Sequence, residues 1–409
     1  MELKHIGNSI DRIDSLAKVT GKAMYPQDYY VDNMLYGKTL RSIYPFAKIN
    51  IDTREAQNLP GVIRIFTHND VPNNAHGVLH KDQLVFCKDI VRRIGDPIAF
   101  VVAETEKICE EAIEKIKVQY EIMKPVLDPI EAMKEDSIKI HGDSNIVYHF
   151  KLRKGDALRA LEESYFVATN TYKTHSIDHA FLQPEAGIGY LDENGNIAVI
   201  VATQYPHYDR EEIAYCLNLP IENIRIINSN VGGAFGGRED ITLQVHLALA
   251  AKTLNRVIKC VYSREESFLA HSKRHAMIMN YSTGVDKEGY LTAVKAEIIG
   301  DTGAYASWAD NVLRKAGVHA TGPYIVPNVM VDSYAVYTNN PYAGAMRGFG
   351  ATQVAVAYEQ QMDILARELK MSPVEIRLKN ILKVGSITST GQLLNNSVPL
   401  ENCLRSVTE

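Results

Sequence analysis

Hydrophobic positions along the chain follow two spacings, one typical of strands and one of helices. Pro97–Ala103 (PIAFVVA) is a continuous apolar run, which predicts a buried strand. Thr105 follows it as a candidate N-cap. Four apolar residues then recur on one helical face: Ile108, Ala112, Ile113 and Ile116. Ile116–Tyr120 predicts a returning strand, so this stretch is interpreted as an α/β unit.

The same patterns predict alternating strands and helices along the rest of the chain. The predicted strands are Leu35–Ser42, Gly61–Thr67, Phe166–Thr174, Asn196–Thr203, Ile224–Asn228, Arg256–Tyr262 and Leu291–Ile299. The predicted helices are His207–Leu217, Ile241–Leu254, Gln353–Leu369 and Pro373–Leu382. A polar, turn-rich stretch at His141–Asn145 (HGDSN) is the candidate boundary. We therefore expect an α+β chain with a mixed α/β domain over 1–142 and a second domain over 143–409.

Composition and charge narrow the class of protein. Of 409 residues, 46% are hydrophobic and 23% charged, which is the balance of a globular protein. The net charge of −5, with no Lys/Arg cluster, argues against a nucleic-acid partner. The apolar runs are too short to span a bilayer, and the N-terminal sequence MELKHIGNSI has no apolar signal core. We expect no membrane association and a cytoplasmic location.

Cysteine and histidine spacing argues against a conventional metal site. The five cysteines are scattered without a CxxC pair, unlike zinc or iron–sulfur ligand sets. Two histidine pairs have i, i+4 spacing but lack the glutamate of an HExxH motif. They are His175 with His179 and His271 with His275, and we interpret both pairs as structural. No GxSxG motif or recognisable catalytic triad is present.

One loop is unusually rich in glycine. Val231–Asp240 (VGGAFGGRED) lies between a predicted strand and a predicted helix, where backbone N–H groups can bind an anion. Ala234 breaks the GxGxxG pattern, and Arg238 and Glu239 replace the Lys-Ser/Thr of a P-loop. A tight turn around a core Phe235 is an equally good interpretation of this loop alone.

Two further loops carry candidate binding residues. Gly344–Gly350 (GAMRGFG) places Arg347 beside Phe349, a pairing that suits a planar ligand or a phosphate. For this loop taken alone, a buried ion pair with a core aromatic residue is the more common explanation. In the stretch ATQYP, Gln204 lies where a buried strand leaves the core. A hydrogen-bonded core glutamine is the alternative there.

Taken in this order, the three loops resemble the molybdenum-binding subunit of the xanthine dehydrogenase and aldehyde oxidase family. The segments GKAMYPQDY, RSIYPFAKI, RRIGDPIAFVVAET and KVQYE are similar to that family's N-terminal hammerhead α/β domain. The segments SREESFLAHSKRHA, GDTGAYAS, GPYIVPNV and VEIRLKNIL are similar to its first molybdopterin-binding domain. The resemblance therefore extends over the whole chain.

The resemblance implies roles for individual residues. Gln204, the backbone at Phe235 and Arg347 are expected to contact a molybdenum cofactor, and Phe349 is expected to pack on the substrate ring. Glu239 and Arg314 are expected to face the substrate. The remaining cofactor-binding positions are those around Phe235: Gly233, Ala234 and Gly236. The family's cofactor holds its metal through its own sulfur atoms, so we expect no side-chain metal ligand.

The resemblance also implies partners, because fused members of the family continue well past the point where this sequence stops. We expect a second molybdopterin-domain subunit that carries the general base, an iron–sulfur subunit with 2Fe–2S clusters and an FAD subunit. The expected cofactor is molybdopterin with molybdenum, in its cytosine dinucleotide form.

The implied reaction is insertion of water-derived oxygen into a C–H bond of an N-heteroaromatic ring. A purine is expected, because a charged Glu239 would repel the carboxylate of nicotinate. The alternatives are a nicotinate-type enzyme, an aldehyde-oxidising or carbon monoxide-oxidising member of the family, and a non-catalytic assembly protein that inserts the cofactor.

Overall fold

The computed structural model describes residues 4–408, and its helices and strands confirm an α+β fold. The strands are β1 Leu35–Arg41, β2 Ala47–Asp52, β3 Val62–Phe66, β4 Ile90–Val91, β5 Pro97–Ala103, β6 Lys117–Ile122, β7 Ile146–Lys154, β8 Phe166–Thr174, β9 Ala186–Leu191, β10 Ile197–Val201, β11 Ile224–Asn228, β12 Ile258–Val261, β13 Ala276–Val285, β14 Leu291–Gly303 and β15 Asn328–Tyr337. The helices are α1 Ser15–Val19, α2 Arg54–Gln57, α3 Glu106–Lys115, α4 Pro129–Ala132, α5 Ala157–Glu162, α6 Pro206–Leu217, α7 Gln244–Leu254, α8 Arg264–Ala270, α9 Ala309–Val318, α10 Ala351–Glu368, α11 Pro373–Asn380 and α12 Leu400–Thr408.

Local signals in the sequence predicted the first α/β unit well. Strand β5 has the predicted bounds, and the Thr105 side chain accepts a hydrogen bond from the Ile108 amide at the start of α3 (3.2 Å). Helix α7 begins three residues later than predicted. The amides of Thr242 and Leu243 donate to the Gln244 side chain (2.8 and 3.0 Å), which turns the chain before the helix begins.

A seven-stranded sheet joins the early and late parts of the chain. Its order is β11-β10-β9-β12-β1-β5-β3, and β1 runs parallel to β12 with Leu35 beside Ile258. Leu35 and Phe100 share one hydrophobic core with Val199 and Leu247. The boundary at residue 142 stays a prediction, because this sheet and its core continue across it.

A second sheet has five strands in the order β7-β15-β14-β13-β8. Its core is completed by α9 and α10, whose buried faces include Leu313 and Leu365. Strands β7, β13 and β15 were not predicted. They are long, and each has a partner distant in sequence: β7 pairs with β15, and β13 pairs with β8 as well as with the neighbouring β14.

The topology explains why two of the singled-out loops meet. Strands β10 and β11 are adjacent and parallel, so their carboxyl ends lie at one edge of the large sheet. Gln204 follows β10, and the loop 231–240 follows β11. Among residues 4–408, no helix is long and apolar enough to cross a membrane.

Candidate active site

The glycine loop has a backbone that most side chains do not tolerate. Gly233 and Gly236 have φ angles of +98° and +106°, and Phe235 between them has a φ of +55°. The Gly237 amide donates to the Ala234 carbonyl (2.9 Å), which closes a tight turn around Phe235. The Phe235 side chain is 50% exposed, so the interpretation of a core phenylalanine is wrong.

The glycine loop packs directly against the loop 344–350. A Cβ atom on Gly236 would lie 2.5 Å from the Ala345 carbonyl oxygen, a distance that backbone atoms do not permit. The Arg347 amide donates to the Phe235 carbonyl (2.9 Å). Phe349 also has a left-handed backbone, with a φ of +54°. The two loops therefore form one rigid structure.

Gln204 links the end of β10 to the glycine loop. Its side-chain oxygen accepts hydrogen bonds from the amides of Gly236 (2.9 Å) and Arg238 (3.3 Å). Its amide nitrogen lies 3.5 Å from a carboxylate oxygen of Glu239. Gln204 is exposed, so its oxygen holds the loop while its NH₂ group faces the open side. The interpretation as a core glutamine is wrong.

The three loops enclose a cleft of about 320 Å³. It is lined by Gln204, Phe235, Gly236, Glu239, Ala345, Met346, Arg347, Gly348 and Phe349. Gly233 and Ala234 belong to the turn but do not line the cleft. A concave site with aromatic walls and a few convergent polar groups is typical of small-molecule binding.

Glu239 has an unusual electrostatic environment. Partial burial and the neighbouring Asp240 raise its pKa to about 7. Burial likewise raises the pKa of Asp240 to about 6, although the Ser307 hydroxyl donates to its carboxylate (2.8 Å). Glu239 is therefore only about half ionised near neutral pH, and perturbed carboxylic acids of this kind are common in active sites.

Arg238 points away from the cleft and does not pair with Glu239. Its guanidinium is buried, donates to the carbonyls of Gly233 (3.0 Å) and Gln183 (2.5 Å), and lies over the ring of Phe181 (4.4 Å). A buried guanidinium satisfied by carbonyl oxygens holds the loop in shape.

A buried ionic cluster behind the glycine loop was not recognised from the sequence. His271 lies between the carboxylates of Asp178 and Glu185, 3.1 Å from each. Burial opposes its protonation, yet these two carboxylates raise its pKa overall. Lys273 forms an ion pair with Asp178 (2.9 Å) and donates to the His271 carbonyl (2.8 Å). The members come from two segments that are far apart in sequence, 178–185 and 271–273, so no local spacing could have revealed the cluster.

Of the other histidines noted in the sequence, His179 and His275 are packed inside the protein, whereas His175 is exposed. His179 contacts the Ala345 carbonyl oxygen through Nε2 (2.7 Å), and burial lowers its pKa to about 4. His275 is fully buried, which lowers its pKa to about 3. Among residues 4–408 there is no group of three or more His, Cys, Asp or Glu arranged to hold a metal ion.

Arg314 does not line the cleft. It is exposed on α9, and its guanidinium donates to the side chain of Asn311 within the same helix (2.7 Å). The sequence offset that suggested a substrate contact thus places it on α9, while Glu239 and Phe349 line the cleft itself.

The donors around the cleft fit a cofactor that carries its own metal. Within residues 4–408, the Phe235 amide and the Arg347 guanidinium have no hydrogen-bond partner, and both lie in the loops that line the cleft. Together with the NH₂ group of Gln204 they offer donors to oxygen atoms or phosphate, with no ligand set for a bare ion.

Family models match most of the chain. Residues 20–124 match the a/b hammerhead domain of aldehyde oxidase and xanthine dehydrogenase, and residues 140–381 match the molybdopterin cofactor-binding domain. The chain belongs to the xanthine dehydrogenase and aldehyde oxidase family. It is thus a molybdenum hydroxylase polypeptide, and its cofactor is molybdopterin with molybdenum.

Individual members of the family are similar over nearly the whole chain. The chain is 43% identical to the nicotinate dehydrogenase large molybdopterin subunit of Eubacterium barkeri, over 99% of this chain and 96% of that one. It is 38% identical to a probable xanthine dehydrogenase subunit of Bacillus subtilis, over 91% of this chain and 50% of that one. The aldehyde oxidoreductase of Desulfovibrio gigas has the same fold, with a TM-score of 0.93 and 28% identity over 97% of this chain and 45% of that one.

These relatives differ in length relative to this chain. It spans almost all of the nicotinate dehydrogenase subunit but about half of the other two proteins. The likeness therefore establishes family, fold and cofactor class.

Proposed function

We propose that this chain is the large molybdopterin subunit of a heteromeric hydroxylase that inserts water-derived oxygen into a C–H bond of an N-heteroaromatic ring. The observation that carries the proposal is the cleft itself. It is lined by hydrogen-bond donors that have no partner within residues 4–408, by an aromatic face, Phe349, and by a titratable acid, Glu239.

Each residue of the cleft has a role in this proposal. The NH₂ group of Gln204, the Phe235 amide and the Arg347 guanidinium bind the cofactor's oxygen-rich groups. When bound, the molybdenum cofactor supplies two-electron oxidation with oxygen from water. Phe349 packs on the substrate ring, and Glu239 hydrogen-bonds its polar edge. Arg238 does not touch substrate but preserves the loop that presents the donors.

The remaining groups are proposed on partner chains. A second molybdopterin-domain subunit would complete the cofactor site and supply the general base. An iron–sulfur subunit with 2Fe–2S clusters and an FAD subunit would carry electrons away. The cytosine dinucleotide form of the cofactor and a cytoplasmic location belong to the same proposal. About half of the xanthine dehydrogenase relative lies beyond the matched region, which supports a second polypeptide.

Two ring classes are candidates, and a separate observation favours each. Glu239 in the cleft lining can accept a hydrogen bond from a purine, the ring expected from the sequence. A relative 43% identical to this chain is named as a nicotinate dehydrogenase subunit. Because the pKa of Glu239 is raised to about 7, a protonated Glu239 can donate to the nicotinate carboxylate and repulsion no longer excludes that ring.

The test is to co-express the chain with its partner polypeptides and to assay the purified complex. We expect hydroxylation of nicotinate, xanthine or both, and little oxidation of benzaldehyde. Gln204→Ala should lower kcat while leaving the preference between the two rings unchanged, because Gln204 binds the cofactor. Gln392→Ala, at an exposed position outside the cleft, is the matched control.

Three results would contradict the proposal. Oxidation of aldehydes alone would assign the chain to the aldehyde-oxidising members of the family. A complex without molybdenum would favour an assembly protein. Unfolding of the Gln204→Ala chain would show that the glutamine is needed mainly for folding.

A further inference from the structure

The sequence contains a single tryptophan, Trp308, and it lies beside the cleft. It is the residue before α9 and is partly buried. Its ring centroid is 5.8 Å from that of Tyr205, the residue after Gln204. On the other side it is 6.0 Å from the centroid of Phe349, with the two ring planes inclined at 65°. Trp308 therefore bridges two of the three loops that form the cleft.

The backbone that presents Trp308 is held in a strained conformation. Ser307 has a φ of +45°, and its hydroxyl donates to the buried Asp240 carboxylate (2.8 and 2.9 Å). Phe235 and Phe349 are also non-glycine residues with positive φ, so three such residues surround one cleft. Backbone strain of this kind persists only where surrounding contacts impose it, and it is frequent at functional sites.

Contacts from the hammerhead part of the chain fix the same segment. The Ala306 amide donates to Asp82 (2.7 Å), and the Asp310 carboxylate lies 3.2 Å from Nε2 of His80. Tyr337 also donates to Asp82 (2.7 Å). The loop containing His80 and Asp82 thus clamps the chain on both sides of Trp308.

We propose that Trp308 is the positioning residue that sets the cleft for a flat ring. Its indole holds the rings of Phe349 and Tyr205 in place, so the substrate ring packs on a preformed aromatic wall. Trp308 does not itself line the cleft and acts through Phe349. This inference rests on the proposed function, in which Phe349 packs on the ring.

Replacement of Trp308 should weaken binding of the substrate ring more than it slows the chemical step. Gln204, the Phe235 amide and Arg347 hold the cofactor and do not contact Trp308 through hydrogen bonds. A misplaced Phe349 weakens the substrate complex and the transition state alike, which raises KM and leaves kcat nearly unchanged.

Two variants separate the loss of the aromatic ring at residue 308 from a reduction in its size. Trp308→Ala removes the bridge between Tyr205 and Phe349. Trp308→Phe keeps an aromatic ring, and it loses no hydrogen bond because the indole Nε1–H is buried without a partner among residues 4–408. Tyr290→Ala, which removes an exposed aromatic ring from the turn between β13 and β14, is the matched control.

The experiment is steady-state kinetics of the purified complex with nicotinate and xanthine, using whichever ring the wild type converts. We expect Trp308→Ala to raise KM roughly tenfold with kcat changed less than about threefold, and Trp308→Phe to restore KM to within about threefold of the wild type. An unchanged KM in Trp308→Ala, or a loss confined to kcat, would overturn the inference.

Failure of the proposed function gives a different result. If the wild-type complex converts neither ring but oxidises benzaldehyde, the ring-hydroxylase proposal fails. The positioning role is then supported by a KM increase in Trp308→Ala for benzaldehyde and not for acetaldehyde, and equal changes for both aldehydes overturn it. The difference in tryptophan emission between wild type and Trp308→Phe is a readout independent of turnover. It should change as the aromatic substrate saturates the complex, because the substrate ring packs on Phe349 and Phe349 lies beside Trp308. Constant emission contradicts a role that acts through Phe349.

Discussion

Glu239 and Arg238 are neighbours in sequence, yet their side chains enter different environments. Arg238 is buried and satisfied by backbone carbonyls, whereas Glu239 lines the cleft beside the Gln204 amide. The division follows from the tight turn that precedes them, in which Gly236 has a positive φ. Two adjacent positions thus supply a buried cation, Arg238, that holds the loop in shape and a carboxylic acid, Glu239, that lines the cleft.

Replacement of Glu239 should change how stability depends on pH. Its pKa is raised above 4.5 to about 7, so the folded state binds more protons than the unfolded state between these values. Wild-type stability should therefore fall as pH rises through this window. Glu239→Gln cannot ionise, and we expect it to be more stable than wild type at pH 8 by about 1–2 kcal/mol, discounted for partial exposure.

Chemical denaturation of the purified chain at pH 4 and pH 8 measures this effect. The two proteins should have equal free energies of unfolding at pH 4, where the wild-type carboxyl is also protonated. The control is Glu193→Gln, in the exposed turn between β9 and β10, which should leave the pH dependence of the free energy of unfolding unchanged. If the free energies of unfolding of wild type and Glu239→Gln differed by the same amount at pH 4 and pH 8, the raised pKa of Glu239 would be contradicted.

At the scale of elements, the site is a junction of loops. Strands β10 and β11 bring Gln204 and the glycine loop to one sheet edge, and the segment between β15 and α10 packs against them. A close approach of the two loops is at Gly236, where an added Cβ would lie 2.5 Å from the Ala345 carbonyl oxygen. Only a residue without a side chain permits it, so this contact determines how the donors face the cleft.

Gly236→Ala should separate the two loops. Its Cβ would lie 2.5 Å from the Ala345 carbonyl oxygen and 2.9 Å from Cα of Met346, and neither atom can move without displacing the loop. The bond from the Arg347 amide to the Phe235 carbonyl should break. We expect the complex to fold but to lose most of its molybdenum, measured by elemental analysis alongside the melting temperature.

The matched control is Gly385→Ala. Gly385 has a similar φ of +89°, but no atom lies within 4 Å of its added Cβ. Alanine at position 385 therefore costs only the strain of a left-handed backbone, about 1–2 kcal/mol. Full molybdenum content in Gly236→Ala, or equal losses in both variants, would show that the close approach of the two loops does not matter.

At the scale of the whole molecule, one sheet joins the hammerhead strands to those of the cofactor-binding part. The pairing of β1 with β12 and the contacts of His80 and Asp82 near α9 place the N-terminal part against the cleft. On its other side the cleft is open, since Gln204, Phe235 and Arg347 are exposed. That open side is where the proposed second subunit would close the site.

The chain purified without a second molybdopterin-domain subunit should therefore be inactive. We expect it to fold, because its two main cores are internal, and to retain well under one molybdenum per chain. Elemental analysis with and without the co-expressed partner measures this. Stoichiometric molybdenum, or robust turnover by the chain alone, would contradict the prediction.

Elements whose signals are local can be predicted from the amino-acid sequence alone. The apolar run of β5, the Thr105 cap of α3 and the strand β8 have their predicted bounds, because side-chain period and capping act within a few residues. The three loops and their order also indicated the family before any contact was known. Gln204, Phe235, Glu239, Arg347 and Phe349 all reach the cleft, and their roles there remain proposals.

Which residues contact one another depends on the folded arrangement. Arg314 and Trp308 lie on or beside α9, yet it is Trp308 that packs against Phe349, while Arg314 pairs with Asn311. The ionic cluster of His271 and the sheet shared by β1 and β12 join residues far apart in sequence. The raised pKa of Glu239 likewise arises from burial and from Asp240 in the folded chain. Long-range packing, burial and the charge around a residue are properties of the folded chain, so a local sequence pattern does not predict them.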